Sequence, residues 1–128
     1  MTATGTGFFI PRPPLVAPSG AVSAQASTAS LVIADYGKNV TNTGASGTIV
    51  LTLLAVALAA GMSLRIQVTN ANIVRLLPAT GEAIYLGGDG VVTKYLGIAG
   101  VIGNYCELYC DGERYLVTSY SGVVTKEA

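Results

Sequence analysis

The sequence predicts an all-β protein: a small antiparallel β-sandwich or barrel, jelly-roll-like, with an extended N-terminal arm. Three observations lead there. Short runs of alternating apolar and polar residues recur from Ser30 to Tyr120. Clusters of Gly, Asn and Asp separate those runs at intervals that suit strands joined by turns. Residues 1–30 show neither helical nor strand periodicity and carry Pro11, Pro13, Pro14 and Pro18. The chain therefore divides into a docking arm, 1–30, and a β-domain, 31–128, and its 128 residues allow one such domain.

In the arm, Arg12 is the single charge, and proline holds the backbone extended while pushing each preceding residue out of the helical region. Phe8, Phe9, Ile10, Leu15 and Val16 make this stretch too apolar for a solvated linker. Together with Pro11 they are the candidate partner-binding residues, since an extended segment with apolar anchors gains most by lying on another subunit.

The domain is expected to open with Leu31-Val32-Ile33 and to turn at Asp35-Tyr36-Gly37-Lys38-Asn39. A second turn, Asn42 to Gly47, leads into a strand from Thr48 to Leu54 with Ile49, Leu51 and Leu53 on one face. The Ala/Leu-rich stretch 54–60 suits one or two helical turns ended by Gly61. Ser63 to Thr69 places Leu64, Ile66 and Val68 inward, with Arg65 and Gln67 outward. Ile73 to Leu77 is stopped by Pro78, and Ala83–Leu86 and Val91–Tyr95 flank Gly87-Gly88-Asp89-Gly90. The strongest hairpin signal is Asp111-Gly112 between Tyr105–Cys110 and Glu113–Tyr120. Its first arm sets Cys106, Leu108 and Cys110 on one face and Tyr105, Glu107 and Tyr109 on the other.

Composition narrows the function. Seven basic residues balance seven acidic ones, which gives no electrostatic pull toward nucleic acid or an anionic membrane, so neither is an expected partner. Only 11% of the residues are charged while 51% are hydrophobic, so a monomer would leave apolar surface in water; such surface usually marks a protein interface. The apolar run from Gly47 to Leu64 is shorter than a bilayer span and has strand-like alternation in its first half. The N-terminus lacks the basic start and continuous apolar stretch of a signal peptide.

No enzyme, cofactor or metal site is expected. Histidine is absent, which removes the side chain best suited to proton transfer near neutral pH and the commonest zinc ligand. Cys106 and Cys110, four apart on one strand, would stand roughly 13 Å apart, beyond disulfide reach, and read as buried thiols. Asp35, Glu82, Asp89 and Asp111 sit near glycines without the recurring spacing of a calcium loop. Gly87-Gly88-Asp89-Gly90 lacks the Lys-Ser/Thr and following helix of a phosphate loop. Asn39-Val40-Thr41 matches a glycosylation acceptor but reads as a chance match. Tyr105 and Tyr109 suit either sugar stacking or a subunit contact, and tyrosine enrichment at interfaces favours the contact.

With these residues in view, the stretch 39–122 resembles small β-domains of tailed-phage virion proteins: capsid decoration (cement) proteins, head fibres and tail-fibre or spike tips. The resemblance rests on the order Asn42-Thr43-Gly44-Ala45-Ser46-Gly47-Thr48, then Ala60-Gly61 before Ser63 to Asn72, then Pro78 to Glu82, and the closing hairpin Cys106 to Ser119. It implies a homotrimer bound to a virion, with the major capsid protein or other virion subunits as partners. A fibre needs a long repetitive shaft, and no heptad or repeat precedes the domain here. A decoration protein at the capsid surface, assembled in the host cytoplasm, is therefore the leading expectation. A trimeric fibre, spike or collar tip comes second, and a carbohydrate-binding β-module is the non-viral rival.

Overall fold

The computed structural model describes residues 22–90 and 94–127. Among the described residues twelve strands form two sheets. The first seven are β1 (Val22–Ala24), β2 (Ala29–Ser30), β3 (Asn39–Thr41), β4 (Ile49–Thr52), β5 (Ser63–Gln67), β6 (Val74–Leu77) and β7 (Ile84–Leu86). The remaining five are β8 (Asp89–Gly90), β9 (Leu96–Ile98), β10 (Tyr105–Cys110), β11 (Tyr115–Ser121) and β12 (Val124–Lys126). A short helix, α1 (Val56–Ala59), lies between β4 and β5. The larger sheet has the order β1-β3-β5-β10-β11-β7-β8 and the smaller β12-β9-β6-β4-β2.

The fold is mostly β, as expected, but it is not an antiparallel jelly roll. From β1 to β6 each successive strand joins the opposite sheet, so β1, β3 and β5 run parallel in one sheet and β2, β4 and β6 run parallel in the other. β11 is also parallel to β7. Antiparallel pairing holds β5 to β10, β10 to β11, β7 to β8, β6 to β9 and β9 to β12. The alternating pattern reports which face of a strand is buried, and it is the same for both strand directions. Turn clusters such as Asn42–Gly47, which look like hairpin loops, here carry the chain across from one sheet to the other.

A single apolar cluster fills the space between the sheets. Val40, Leu64, Ile66, Cys106, Leu108 and Tyr115 enter it from one side, and Ile49, Leu51, Val74, Leu76, Leu96 and Ile98 from the other. Every inward assignment made from the alternation of 48–54, 63–69 and 105–110 lands in this core. Two boundaries differ. Residues 22–30, grouped with the arm, pair as β1 and β2; they are small and largely exposed edge strands, so no apolar alternation marks them. Leu31-Val32-Ile33 does not continue as a strand, because the Asp35 carboxylate accepts the Val32 N–H at 2.8 Å and closes a 3-10 turn over Ile33–Asp35. The expected strand Val91–Tyr95 lies partly outside the described residues.

Candidate functional site

Apart from the buried Asn39 Oδ1, which has no hydrogen-bond partner among the described residues, the polar side chains inside the molecule are engaged in holding it together. Tyr115 is fully buried in the core. Its hydroxyl donates to the Leu54 carbonyl at 2.7 Å and lies 2.6 Å from the Tyr36 hydroxyl. The Leu54 N–H in turn donates to Tyr36 at 3.0 Å, so two tyrosines satisfy both backbone groups of one residue in a closed ring. Burial raises the pKa of both phenols, most of all that of Tyr115. Asn42, equally buried, donates to the carbonyls of Asn70 and Asn72 and accepts from the N–H groups of Thr69 and Asn70 and the Thr69 hydroxyl.

Three of the acidic residues noted beside glycines, Asp35, Glu82 and Asp111, serve local structure. Asp35 accepts from the Ser23 hydroxyl at 2.6 Å, Glu82 from the Val56 N–H at 3.1 Å, and Asp111 from the N–H groups of Glu113 and Arg114. The half-buried Asn39 donates its side-chain N–H to Gln67 at 3.0 Å. Cys106 and Cys110 are free and buried. Burial pushes the Cys106 thiol up to about 12 and raises Cys110 as well, so neither forms a thiolate nucleophile near neutral pH. Among the described residues no group of three His, Cys, Asp or Glu side chains could hold a metal, and no helix is long and apolar enough to cross a membrane.

Two outward faces remain. On the larger sheet, Tyr105 and Tyr109 stand on the exposed side of β10, as the alternation required. Tyr105 is half-buried beneath the Arg65 guanidinium, 4.1 Å from the ring centroid, and its hydroxyl meets Ser119 at 3.2 Å. Arg65 also pairs with Glu107 at 2.5 Å, which places an ion pair between the two tyrosines. Tyr109, 37% exposed, has the freer ring. The arm residues Phe8, Phe9, Ile10, Pro11, Leu15 and Val16 lie outside the described residues.

The smaller sheet carries the more distinctive surface. Register sets Gly97 of β9 between Arg75 of β6 and Thr125 of β12, so the outer face has a bare strip of backbone with side chains on both sides. The resulting groove of about 370 Å³ is lined by Ile73, Arg75, Tyr95, Ala99, Thr125 and Glu127 around Gly97. One end is polar: the Arg75 guanidinium lies 5.5 Å from the Tyr95 ring centroid, and Glu127 exchanges hydrogen bonds with the Tyr95 backbone, accepting at its carboxylate and donating from its N–H. The other end is apolar. The Ala99 N–H donates to Val123, and Gly100 packs so closely on Asn72 that a Cβ there would meet backbone at 2.6 Å. This brings Ile73, Val101, Ile102 and Val123 together at one end of the molecule, 40–66% exposed. No protein-family model and no curated protein matches the sequence.

Sequence reasoning placed Tyr105 and Tyr109 on the outward face of β10 but missed this groove. Its walls come from three strands that are distant in sequence, and β12 has no strong strand pattern. The accessible signal was the pair Val101-Ile102 between two glycines, an apolar dipeptide in a turn where polar residues are usual.

Proposed function

We propose that this chain is a structural, non-enzymatic subunit of a phage virion, a homotrimer that docks on the capsid surface as a decoration protein and stabilises it. The observation that carries the reading is the apolar end formed by Ile73, Val101, Ile102 and Val123. A side chain of this kind gains about 1.5–3 kcal/mol when fully buried, so together they supply a driving force for association. The low charge supports the same reading, because a docking surface that works by apolar burial needs no long-range steering. So does the inert state of the titratable interior, where the thiols and buried phenols are all held in their neutral form. The resemblance of residues 39–122 to phage virion β-domains supplies the class of assembly.

The test compares particles with and without the chain. Undecorated particles are expected to lose DNA at lower temperature and lower osmotic stress than decorated ones. Val101→Asp with Val123→Asp, folded by circular dichroism, is expected to lose at least tenfold in co-sedimentation with particles. Undecorated particles of equal heat resistance that fail to adsorb to host cells would replace this reading with a fibre-tip role.

A further inference from the structure

We infer that the groove over Gly97 is a docking site for the segment Phe8–Pro14 of a neighbouring copy of this chain, laid along β9 and parallel to β12. The inference rests on the assembly reading above and names the surface that the arm would use. Its starting point is Gly97 itself. A glycine inside a strand costs stability and often marks the close approach of another backbone. Among the described residues nothing requires one here: a Cβ at 97 would lie 3.7 Å from the Thr125 carbonyl oxygen, an ordinary contact, and the residue is not among those at positive φ. At Gly100 a Cβ would instead strike the backbone of Asn72. Gly97 is thus left bare on the outside, where its side chain would close the groove.

The groove and the segment match in chemistry and in length. The groove passes from the apolar residues Ile73, Ala99 and Val123 to an end holding Arg75, Tyr95 and Glu127, where Glu127 is the one acidic side chain of the lining. The segment passes in the same sense from Phe8-Phe9-Ile10 to Pro11-Arg12-Pro13-Pro14. Val123, Thr125 and Glu127 span four residues, roughly 13 Å of strand. Phe8 to Arg12 spans the same four residues, roughly 12–13 Å when extended. Setting Phe8 level with Val123 puts Ile10 beside Thr125 and Arg12 beside Glu127. One oxygen of the Glu127 carboxylate already accepts from Tyr95, and the second has no hydrogen bond among the described residues. Proline-stiffened segments dock on aromatic-lined grooves because little entropy remains to be lost, and Tyr95 supplies the ring for the prolines that flank Arg12.

Disulfide trapping in the full chain tests this directly, since the native cysteines are buried. Ile10→Cys and Thr125→Cys are placed in separately tagged copies and co-expressed, with Ser63→Cys on the opposite sheet as the control position. The expected result is a cross-link between copies at Thr125→Cys and not at Ser63→Cys, reduced at least tenfold by Gly97→Leu. Should Gly97→Leu fail to fold, charge reversal replaces it: Arg12→Glu and Glu127→Arg each lower the yield, and the two together restore it. A cross-link confined to one copy, none at all, or one indifferent to these substitutions overturns the inference. So does binding of a host polysaccharide that Gly97→Leu abolishes while the cross-link persists. Light scattering and particle co-sedimentation on the same preparations separate this failure from that of the assembly reading: oligomers that still bind particles leave the assembly reading standing, and monomers that bind none remove both.

Discussion

The stretch from Val22 to Leu77 and the hairpin from Tyr105 to Ser121 are both built of alternating strands, yet they hold register by different means. In the hairpin, β10 and β11 are joined by a short turn. Gly112 takes φ 95°, and the Asp111 carboxylate accepts from Glu113 and Arg114, so neighbours in sequence fix the pairing. A bulge at Glu107/Leu108 makes Thr118 the extra residue of β11, and its hydroxyl donates to the Glu107 carbonyl. Between β1 and β6 no turn joins strands that are paired, because each connection crosses to the other sheet. Register there depends on side chains that reach between successive crossings: Asn42 binds the Thr69–Asn72 connection, and Tyr36 joins Tyr115 in gripping Leu54. Parallel strands stacked by crossovers have no local signal to align them, so buried polar groups take that role.

The largest effect expected from this contrast is at Asn42. Asn42→Leu leaves the partly buried N–H groups of Thr69 and Asn70 without their acceptor and the Asn72 carbonyl without its donor, while the Asn70 carbonyl keeps the Asn72 N–H. At about 1–3 kcal/mol for each unpaired donor, the loss is roughly 2–6 kcal/mol, a large share of the stability of a domain this size. Urea denaturation followed by circular dichroism measures it. A shift under 1 kcal/mol would show that water replaces the amide and that Asn42 does not set the register.

The same contrast explains what the sequence made legible. The hairpin, the inward faces of β4, β5 and β10 and the helical turn before Gly61 follow from patterns a few residues long, and all were readable. Strand direction was not, because Leu64, Ile66 and Val68 face the core whether β5 pairs parallel or antiparallel. The roles of Asn42 and Tyr36 were hidden as well: their partners lie 28 and 79 residues away, at Asn70 and Tyr115. The Gly97 groove escaped for that reason too, since Arg75, Gly97 and Thr125 become neighbours only after three strands align.

A smaller effect is expected at the tyrosine ring. Tyr115→Phe removes the donor to the Leu54 carbonyl and one partner of Tyr36 while keeping the ring in place, at a cost of about 1–3 kcal/mol. It also changes the pH dependence. Tyr115, Tyr36, Cys106 and Cys110 all have folded pKa values above their unfolded ones. Each therefore contributes stability that is complete below its unfolded pKa and is lost as pH rises toward the folded value. The wild type should lose stability from about pH 9 upward, where unfolded thiols ionise first. Tyr115→Phe should make that fall shallower above pH 10, where unfolded phenols join in. Denaturant midpoints from pH 7 to 11 test this, and a fall equally steep in both proteins would remove Tyr115 from the alkaline limb.

The smallest effect belongs to the hairpin turn, where Asp111 is exposed. Hydrogen bonds from the backbone N–H groups of Glu113 and Arg114 hold its pKa below the ordinary 3.8. The sign is opposite to that of the tyrosines: a depressed carboxylate adds stability that is present above its unfolded pKa and is lost as pH falls through the folded one. Asp111→Asn keeps a side-chain oxygen to accept the same two N–H groups but has no proton to take up. Near pH 7 the variant should unfold at nearly the wild-type midpoint, because the turn geometry survives. Below pH 4 the wild type should weaken relative to it. Midpoints that remain parallel from pH 7 to pH 2 would show that the Asp111 charge adds nothing to its hydrogen bonds. Midpoints already far apart at pH 7 would show that the hairpin depends on its turn as strongly as the parallel strands depend on Asn42, and the contrast between the two regions would fail.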